Sequence, residues 1–363
     1  MSQIDDLKRL ATANGFDAVA LMPGPNLRYL TGLSFHLSER PILALVPAQG
    51  TPAIVLPTFE AGRVEAATCE MVAYPYTDEE GHRSAIQSAC AALELADSFL
   101  GVEALHLRFL EARLLERYAP DCRLVPAEEI LSGLRMRKSE DALVFMRSAA
   151  AITERALAST MPQVRAGMTE KQVARILTIE LLRAGGEGLA FPPAVLAGPN
   201  AAQPHASPGD HQIEPGETIV IDCGVTANGY AADPTRTFVI GELEPDLAWV
   251  YEVVLMANAA ATAAARPGTP AEVVDQTARA VIEEAGYGEC FTHRTGHGLG
   301  LETHEPPYIV AGNREPLAPG MTFTIEPGIY LPGRGGVRIE DDVVITKDGA
   351  ESLTTYPRRL RSL

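Results

Sequence analysis

Four carboxylates set in apolar strand-like runs are the residues of this chain best placed to do chemistry. Asp222 lies in "ETIVIDCGVT" (217–226) and Asp233 in "GYAADPTRTF" (229–238). Glu326 lies in "GMTFTIEPGIYL" (320–331) and Glu340 in "GGVRIEDDVVIT" (335–346). Each pair of runs flanks a turn signal, Ala227-Asn228-Gly229 in the first and a Gly-rich loop around Gly333 in the second. Each pair therefore reads as a β-hairpin. Pairing Val225 with Tyr230 sets Asp222 opposite Asp233, and a shift of two residues makes them diagonal. In both registers the two side chains share one face of the sheet. A turn centred on Gly333 sets Glu326 opposite Glu340. Like charges facing one another destabilise a sheet, and burial without a counter-charge adds to the cost. The neighbours are apolar (Ile219, Ile221, Phe323, Ile325, Ile339), and no lysine occurs in the four runs. A single pair of this kind is explained by a solvated sheet face. Two pairs point to a cation site.

A nitrogen ligand is available in "HRTGHGLGLETHEPP" (293–307), which holds His293, His297 and His304. Gly296, Gly298 and Gly300 surround His297 and free its backbone for a close approach. The "GHGLG" run is a poor phosphate loop because no βαβ unit surrounds it, and "HEPPY" cannot be a zinc helix because two prolines break it. Four carboxylates and an imidazole form an oxygen-rich set that suits a pair of divalent ions, Mn²⁺, Co²⁺, Fe²⁺ or Zn²⁺. Four negative charges also offset two such ions. A two-metal site polarises a carbonyl and activates water, which is hydrolytic chemistry.

Two domains are expected to carry these residues. Residues 1–132 alternate short apolar runs ("DAVALM", "PILALV", "PAIVL") with helical segments ("IDDLKRLATANG", "ALELADSFL", "FLEARLLERYA"), the pattern of an α/β domain. A boundary near Gly133 precedes a long helix capped by Ser139 and running to about Met161. A second helix follows, capped by Thr169 and stopped by Gly185-Gly186. Beyond residue 190, two further helices ("DLAWVYEVVLMANAAATAAA", "PAEVVDQTARAVIEEAG") accompany the hairpins, so residues 133–363 read as α+β.

The formal net charge is −17, which disfavours nucleic acid as a partner. The N-terminal segment lacks the apolar core of a signal peptide, and no run approaches the length of a membrane span. The five cysteines form no C-x-x-C and are odd in number, which fits a reducing, cytoplasmic setting with free thiols.

The segments "IDCG", "YAADPTRTF", "GHGLGLETHEPP", "TIEPGIY" and "GVRIEDDV" resemble the five metal motifs of the pita-bread metallopeptidases (family M24). The resemblance is strongest to the Xaa-Pro peptidases, aminopeptidase P and prolidase. "FPPAVLAGPNAAQPHASP", "LRMRKSEDALVFMRSA" and "GPNLRYLTGLSFHLSERP" resemble further segments of that group, so the likeness covers nearly the whole chain. It implies a creatinase-N-like first domain and a pita-bread catalytic domain. It implies metal ligands Asp222, Asp233, His297, Glu326 and Glu340, with Asp233 and Glu340 bridging two ions, Mn²⁺ or Co²⁺ foremost. Glu326 would double as general base, and His205 and His304 would contact the substrate and stabilise the tetrahedral intermediate. His293 would line the proline pocket, Arg338 would orient a ligand carboxylate, and Tyr330 would add a further donor. "SFHLSERP" resembles prolidase loops that reach toward an active site, so His36 is a candidate substrate contact. A loop histidine in solvent explains His36 equally well.

The implied activity is hydrolysis of an Xaa-Pro bond at the N-terminus of short peptides or dipeptides, by a homodimer. Other readings of the same scaffold are a metal-independent creatinase-like amidinohydrolase, a hydrolase of another amide, and a non-catalytic binding module. Retention of all five ligands speaks against the metal-independent and non-catalytic ones. Methionine aminopeptidase would not need residues 1–132. The chain departs from the family at Pro234, where an apolar residue is usual. A strand opening with Asp-Pro gives up a ladder donor, so Pro234 is expected beside the metals, or at a bulge, where no ladder N–H is needed.

Overall fold

The structure, a computed structural model, describes residues 2–363 and divides into two compact units, Met1–Arg135 and Met136–Leu363. The first unit holds strands β1 (Ala18–Leu21), β2 (Leu43–Pro47), β3 (Ala53–Pro57), β4 (Val72–Tyr76), β5 (Phe99–Val102) and β6 (Arg123–Pro126). They form one mixed sheet in the order β4-β3-β2-β1-β5-β6. The three apolar runs are β1 to β3, and every residue in them is buried. Apolar clusters flank the sheet, one packed with α1 (Gln3–Ala13) and α2 (Pro25–Thr31), the other with α3 (Arg83–Ala92) and α4 (Phe109–Tyr118). Helix α5 (Glu128–Met136) runs to the boundary.

One expected helix is absent. The segment "ALELADSFL" (92–100) is a turn followed by the start of β5, because α3 lies upstream of it and ends at Ala92. Glu94 and Asp97 take left-handed backbone, with φ of 53° and 56°, which no helix accommodates.

The second unit opens with α6 (Glu140–Thr160), whose N-terminus is capped by Ser139 accepting from the Ala142 N–H. Helix α7 (Glu170–Arg183) begins with a reciprocal capping box between Thr169 and Gln172. Strands β7 (Gly188–Leu189), β8 (Ala194–Ala197), β9 (Thr218–Asp222), β10 (Val225–Ala227), β11 (Tyr230–Ala231) and β12 (Thr235–Val239) follow, then α8 (Pro245–Ala264) and α9 (Ala271–Glu284). The chain continues through β13 (Gly296–Gly298), β14 (Glu305–Ile309), β15 (Thr322–Ile325), β16 (Gly328–Leu331), β17 (Gly335–Arg338), β18 (Asp341–Ile345), β19 (Ala350–Ser352) and β20 (Arg361–Ser362). The larger sheets run β20-β12-β9-β8 and β14-β13-β15-β18-β19.

Helices α6 and α7 back the first hairpin through one apolar cluster, and α8 and α9 back the second through another. Helix α8 is long and apolar enough to cross a membrane by length and composition alone. Its apolarity has a local cause: Val250, Val253, Val254, Ala257 and Ala261 fill the second cluster, and buried Asn258 donates to Ile325 O and Asp341 Oδ2.

Candidate metal centre

Both hairpins break where their carboxylates sit. In the first, Asp222 pairs with Thr235, and Thr226 pairs with Ala231. The register is therefore the shifted one, and Asp233 stands diagonal to Asp222 on the same face. Asp233 and Pro234 fall between β11 and β12. Cys223 N–H donates to Pro234 O at 3.4 Å, and proline has no N–H to return. The Val225 N–H turns to Thr153 Oγ1 at 3.3 Å. Gly224 makes room, since a Cβ there would lie 1.8 Å from Ala232 O. Pro234 thus sits at a break beside the carboxylates, opposite Cys223 in a half-made rung. The register is the same on both sides, so no extra residue is inserted as in a bulge.

In the second hairpin both halves follow the register centred on Gly333, and Glu326 faces Glu340. Neither lies in a strand: the break falls between β15 and β16 on one side and β17 and β18 on the other. The backbone amides of these carboxylates tie the two hairpins together. Asp233 N–H donates to Asp342 Oδ2 at 3.0 Å, and Glu340 N–H donates to Thr235 O at 3.1 Å. Glu326 N–H reaches Thr295 O at 2.8 Å, next to β13.

Strand β13 delivers His297. A Cβ at Gly296 would lie 1.8 Å from Thr324 O, and one at Gly298 would lie 2.2 Å from Pro306 O, so only glycines let the histidine pack this close. His297 Nδ1 lies 3.1 Å from Gly298 O. A carbonyl only accepts, so Nδ1 carries the proton and Nε2 presents a lone pair. That lone pair faces Glu326 Oε1 at 3.2 Å and Asp233 Oδ2 at 3.6 Å.

Ligand-type atoms of Asp222, Asp233 and Glu340, and those of His297, Glu326 and Glu340, lie within 4.8 Å of one another in each group. A third group joins Asp233, His297 and His304. Burial, then the charges of Asp222 and other carboxylates, pushes Asp233 well above the usual carboxylate range. Burial and the Asp233 charge do the same to Glu340. Burial pushes His297 down to about 4, and burial with His297 nearby pushes His304 to about 4. Asp222 Oδ1 is buried with no hydrogen-bond partner. Lone pairs facing lone pairs, crowded carboxylates and an orphaned oxygen share one remedy, a cation among them. The donor set fits divalent metal ions.

One guanidinium supports the cluster. Arg338 Nη2 bonds Asp222 Oδ2 at 2.7 Å, and its Nε bonds Thr235 Oγ1 at 3.2 Å. Thr235 Oγ1 in turn donates to Glu340 Oε2. Arg338 Nη1 donates to Tyr330 Oη at 3.2 Å, and Tyr330 Oη meets His293 Nε2 at 2.8 Å. His293, His205 and His304 line a cleft of about 650 Å³ with the five ligand-type residues and Arg338. Tyr330 stands behind that wall. His36 is exposed on a loop of the first unit and is not among the residues lining the cleft. Phe191, Arg294 and Thr303 also line the cleft, and the sequence reading singled out none of them. For Thr303 and Arg294 the available signal was their place in the histidine-rich segment.

The M24 metallopeptidase profile matches residues 144–347. The chain belongs to metallopeptidase family M24. A creatinase/prolidase N-terminal domain profile matches residues 3–137. A probable dipeptidase, PepE, of Mycobacterium tuberculosis is 39% identical over 98% of this chain and 94% of its own length. The crystal structure of a dipeptidase from Pyrococcus horikoshii is 37% identical with a TM-score of 0.95, covering 99% of this chain and 100% of its own. A prolidase from Thermococcus sibiricus is 34% identical with a TM-score of 0.93, over 99% and 98% of the two chains. This M24 member has the pita-bread catalytic fold behind a creatinase-type N-terminal domain, and it is a metallopeptidase.

Proposed function

We propose that this metallopeptidase hydrolyses the Xaa-Pro bond of short peptides and dipeptides, using two divalent ions, Mn²⁺ or Co²⁺ foremost. The observation that carries the reading is the convergence of Asp222, Asp233, His297, Glu326 and Glu340 on one another, with Asp222 Oδ1 unpartnered. The dipeptidase and prolidase relatives support the substrate class.

The five residues would hold the ions, with Asp233 and Glu340 as the central carboxylates. The ions would supply Lewis acidity toward the scissile carbonyl. Glu326, held by Thr324 Oγ1 at 3.1 Å, accepts the proton of the attacking water. It then delivers that proton to the proline nitrogen as the bond breaks. His304 is neutral at pH 7 and offers an N–H to the developing oxyanion, and His205, which also lines the cleft, offers a second donor. Arg338 and Tyr330 orient Asp222 and His293, respectively.

The test is direct. Protein stripped with chelator and reloaded with Mn²⁺ or Co²⁺ is offered Ala-Pro, Ala-Pro-Ala and Ala-Ala-Ala. Cleavage of the proline peptides only when metal is restored is the expected result. Cleavage of neither with any metal refutes the reading.

A further inference from the structure

The loop that carries His304 is built on a buried ion pair. Lys138 Nζ lies 2.5 Å from Glu305 Oε1, and each side chain is 2% exposed. Lys138 directly precedes the Ser139 cap of α6, and its N–H donates to Gly320 O at 2.8 Å. Glu305 opens β14 directly after His304 and stands across the ladder from Gly298, where the register slips past His297. Its Oε2 accepts the Glu302 N–H at 3.4 Å, and Glu302 O accepts the Gly300 N–H at 3.0 Å. A Cβ at Gly300 would stand 2.8 Å from both Glu305 Oε1 and Lys138 Cε, so this glycine packs against the pair itself. Through Glu305, the span from Gly300 to His304 is thus tied to one ammonium. His304 is exposed in the cleft, and its side chain makes no hydrogen bond among the described residues. Its ring meets that of His297 edge-on, with centroids 4.1 Å apart. Its aim is therefore set by the loop backbone.

We infer that the Lys138–Glu305 pair positions His304, holding its N–H where the scissile carbonyl gains charge. This rests on the Xaa-Pro reading above. Neither residue of the pair is among those lining the cleft, so both act through the loop. A buried ion pair is a poor stabiliser, because removing two charges from water costs about as much as their attraction returns. What it supplies is direction: the charges and the hydrogen bond are satisfied together in one arrangement. An oxyanion donor needs that direction. It works only within hydrogen-bond reach of where the oxygen will lie, and a displacement of about 1 Å can cost about 100-fold in rate. The pair should therefore act on kcat rather than on stability or ground-state binding.

The experiment replaces both members of the pair by methionine, which fills the space without charge. Metal-loaded Lys138→Met/Glu305→Met should melt close to the wild type and retain its metal. Its kcat for Ala-Pro should fall about 10- to 100-fold with KM unchanged. In a His304→Ala background the same replacement should cost nothing further, because the histidine it aims is gone. Losses that multiply, an unchanged kcat, or a rise in KM alone overturn the inference. Gly300→Ala keeps both charges and presses a methyl on the pair. It should give the same kcat loss and the same dependence on His304, and it decides the matter if the methionine pair does not fold. A further readout needs no turnover. In Zn²⁺-loaded, histidine-labelled protein, the NMR signal of the His304 ring, assigned by its absence in His304→Ala, should move when the pair is replaced, as the ring leaves His297. If the wild type cleaves neither proline peptide, the Xaa-Pro reading fails and the NMR signal alone decides. A moved signal then supports the pair as the anchor of His304, and an unmoved one refutes it.

Discussion

Arg338 touches a carboxylate from each hairpin: its Nη2 lies 2.7 Å from Asp222 Oδ2 and its Nε 3.9 Å from Glu340 Oε2. The side chain is almost wholly buried, so little solvent screens either contact. Arg338→Met should leave Asp222 unheld and lower metal affinity about 10- to 100-fold. Arg338→Lys should recover only part of this, because an ammonium cannot reproduce the fork. Metal retained against a graded chelator measures it, and wild-type retention by Arg338→Met would refute the assignment.

The metal-stripped chain should lose stability as pH rises above 6.5. Asp233 and Glu340 hold protons more tightly folded than unfolded, because burial and neighbouring carboxylates raise both. Burial likewise lifts Asp342 to about 7. Groups raised on folding contribute stability that disappears as pH climbs through their folded values. His297 and His304, pushed down to about 4 from 6.5, act with the opposite sign between those values and add nothing further above 6.5. Urea midpoints at pH 6.5 and 8 should therefore fall in the stripped wild type and fall less in Asp233→Asn. A wild-type midpoint that rises instead contradicts the proposed crowding.

Gly296→Ala should displace His297. Its Cβ would meet Thr324 O, a backbone atom that cannot swing aside. A cost of about 1–3 kcal/mol is expected from such overpacking, together with lost metal. Gly133→Ala, with open space around its Cβ, is the control and should melt no lower than the wild type. Equal melting temperatures for the two variants would show that the approach is not tight.

Glu170 positions the segment that carries His205. It is fully buried and accepts from Ala197 N at 2.6 Å, Asn200 Nδ2 at 2.8 Å and Gly209 N at 2.6 Å, on both sides of that histidine. Glu170→Gln turns a donor toward donors at a cost of about 1–3 kcal/mol. The expected signature is reduced kcat/KM for Ala-Pro with metal content intact. Unchanged kinetics would mean that His205 needs no such anchor.

Much of the centre was legible because burying a carboxylate is costly. Asp222, Asp233, Glu326 and Glu340 stand out as charges in apolar runs, and periodicity places them facing one another. Only the register of the first hairpin stayed open, since an Asn-Gly turn does not by itself fix which residues pair. The supports were hidden for a different reason. Glu170 and Asp342 bond backbone amides far away in sequence, and nothing about a lone acid in a helix or strand announces that. Arg294 lies outside any strand or helix, and only the fold brings the Tyr308 ring beneath its guanidinium. The segment at 92–100 misled because Leu95 and Leu100 reach the core from a turn and a strand, a spacing that imitates a helix.

Each hairpin brings two of the four carboxylates, and two helices separate them in the chain. A nascent polypeptide that has just completed β12 already displays Asp222 and Asp233, with neither the histidine nor the opposing pair yet made. Strong cation capture must wait until β18 has emerged and docked. Metal loading would then report the completion of the catalytic unit, so a truncated chain should not hoard ions.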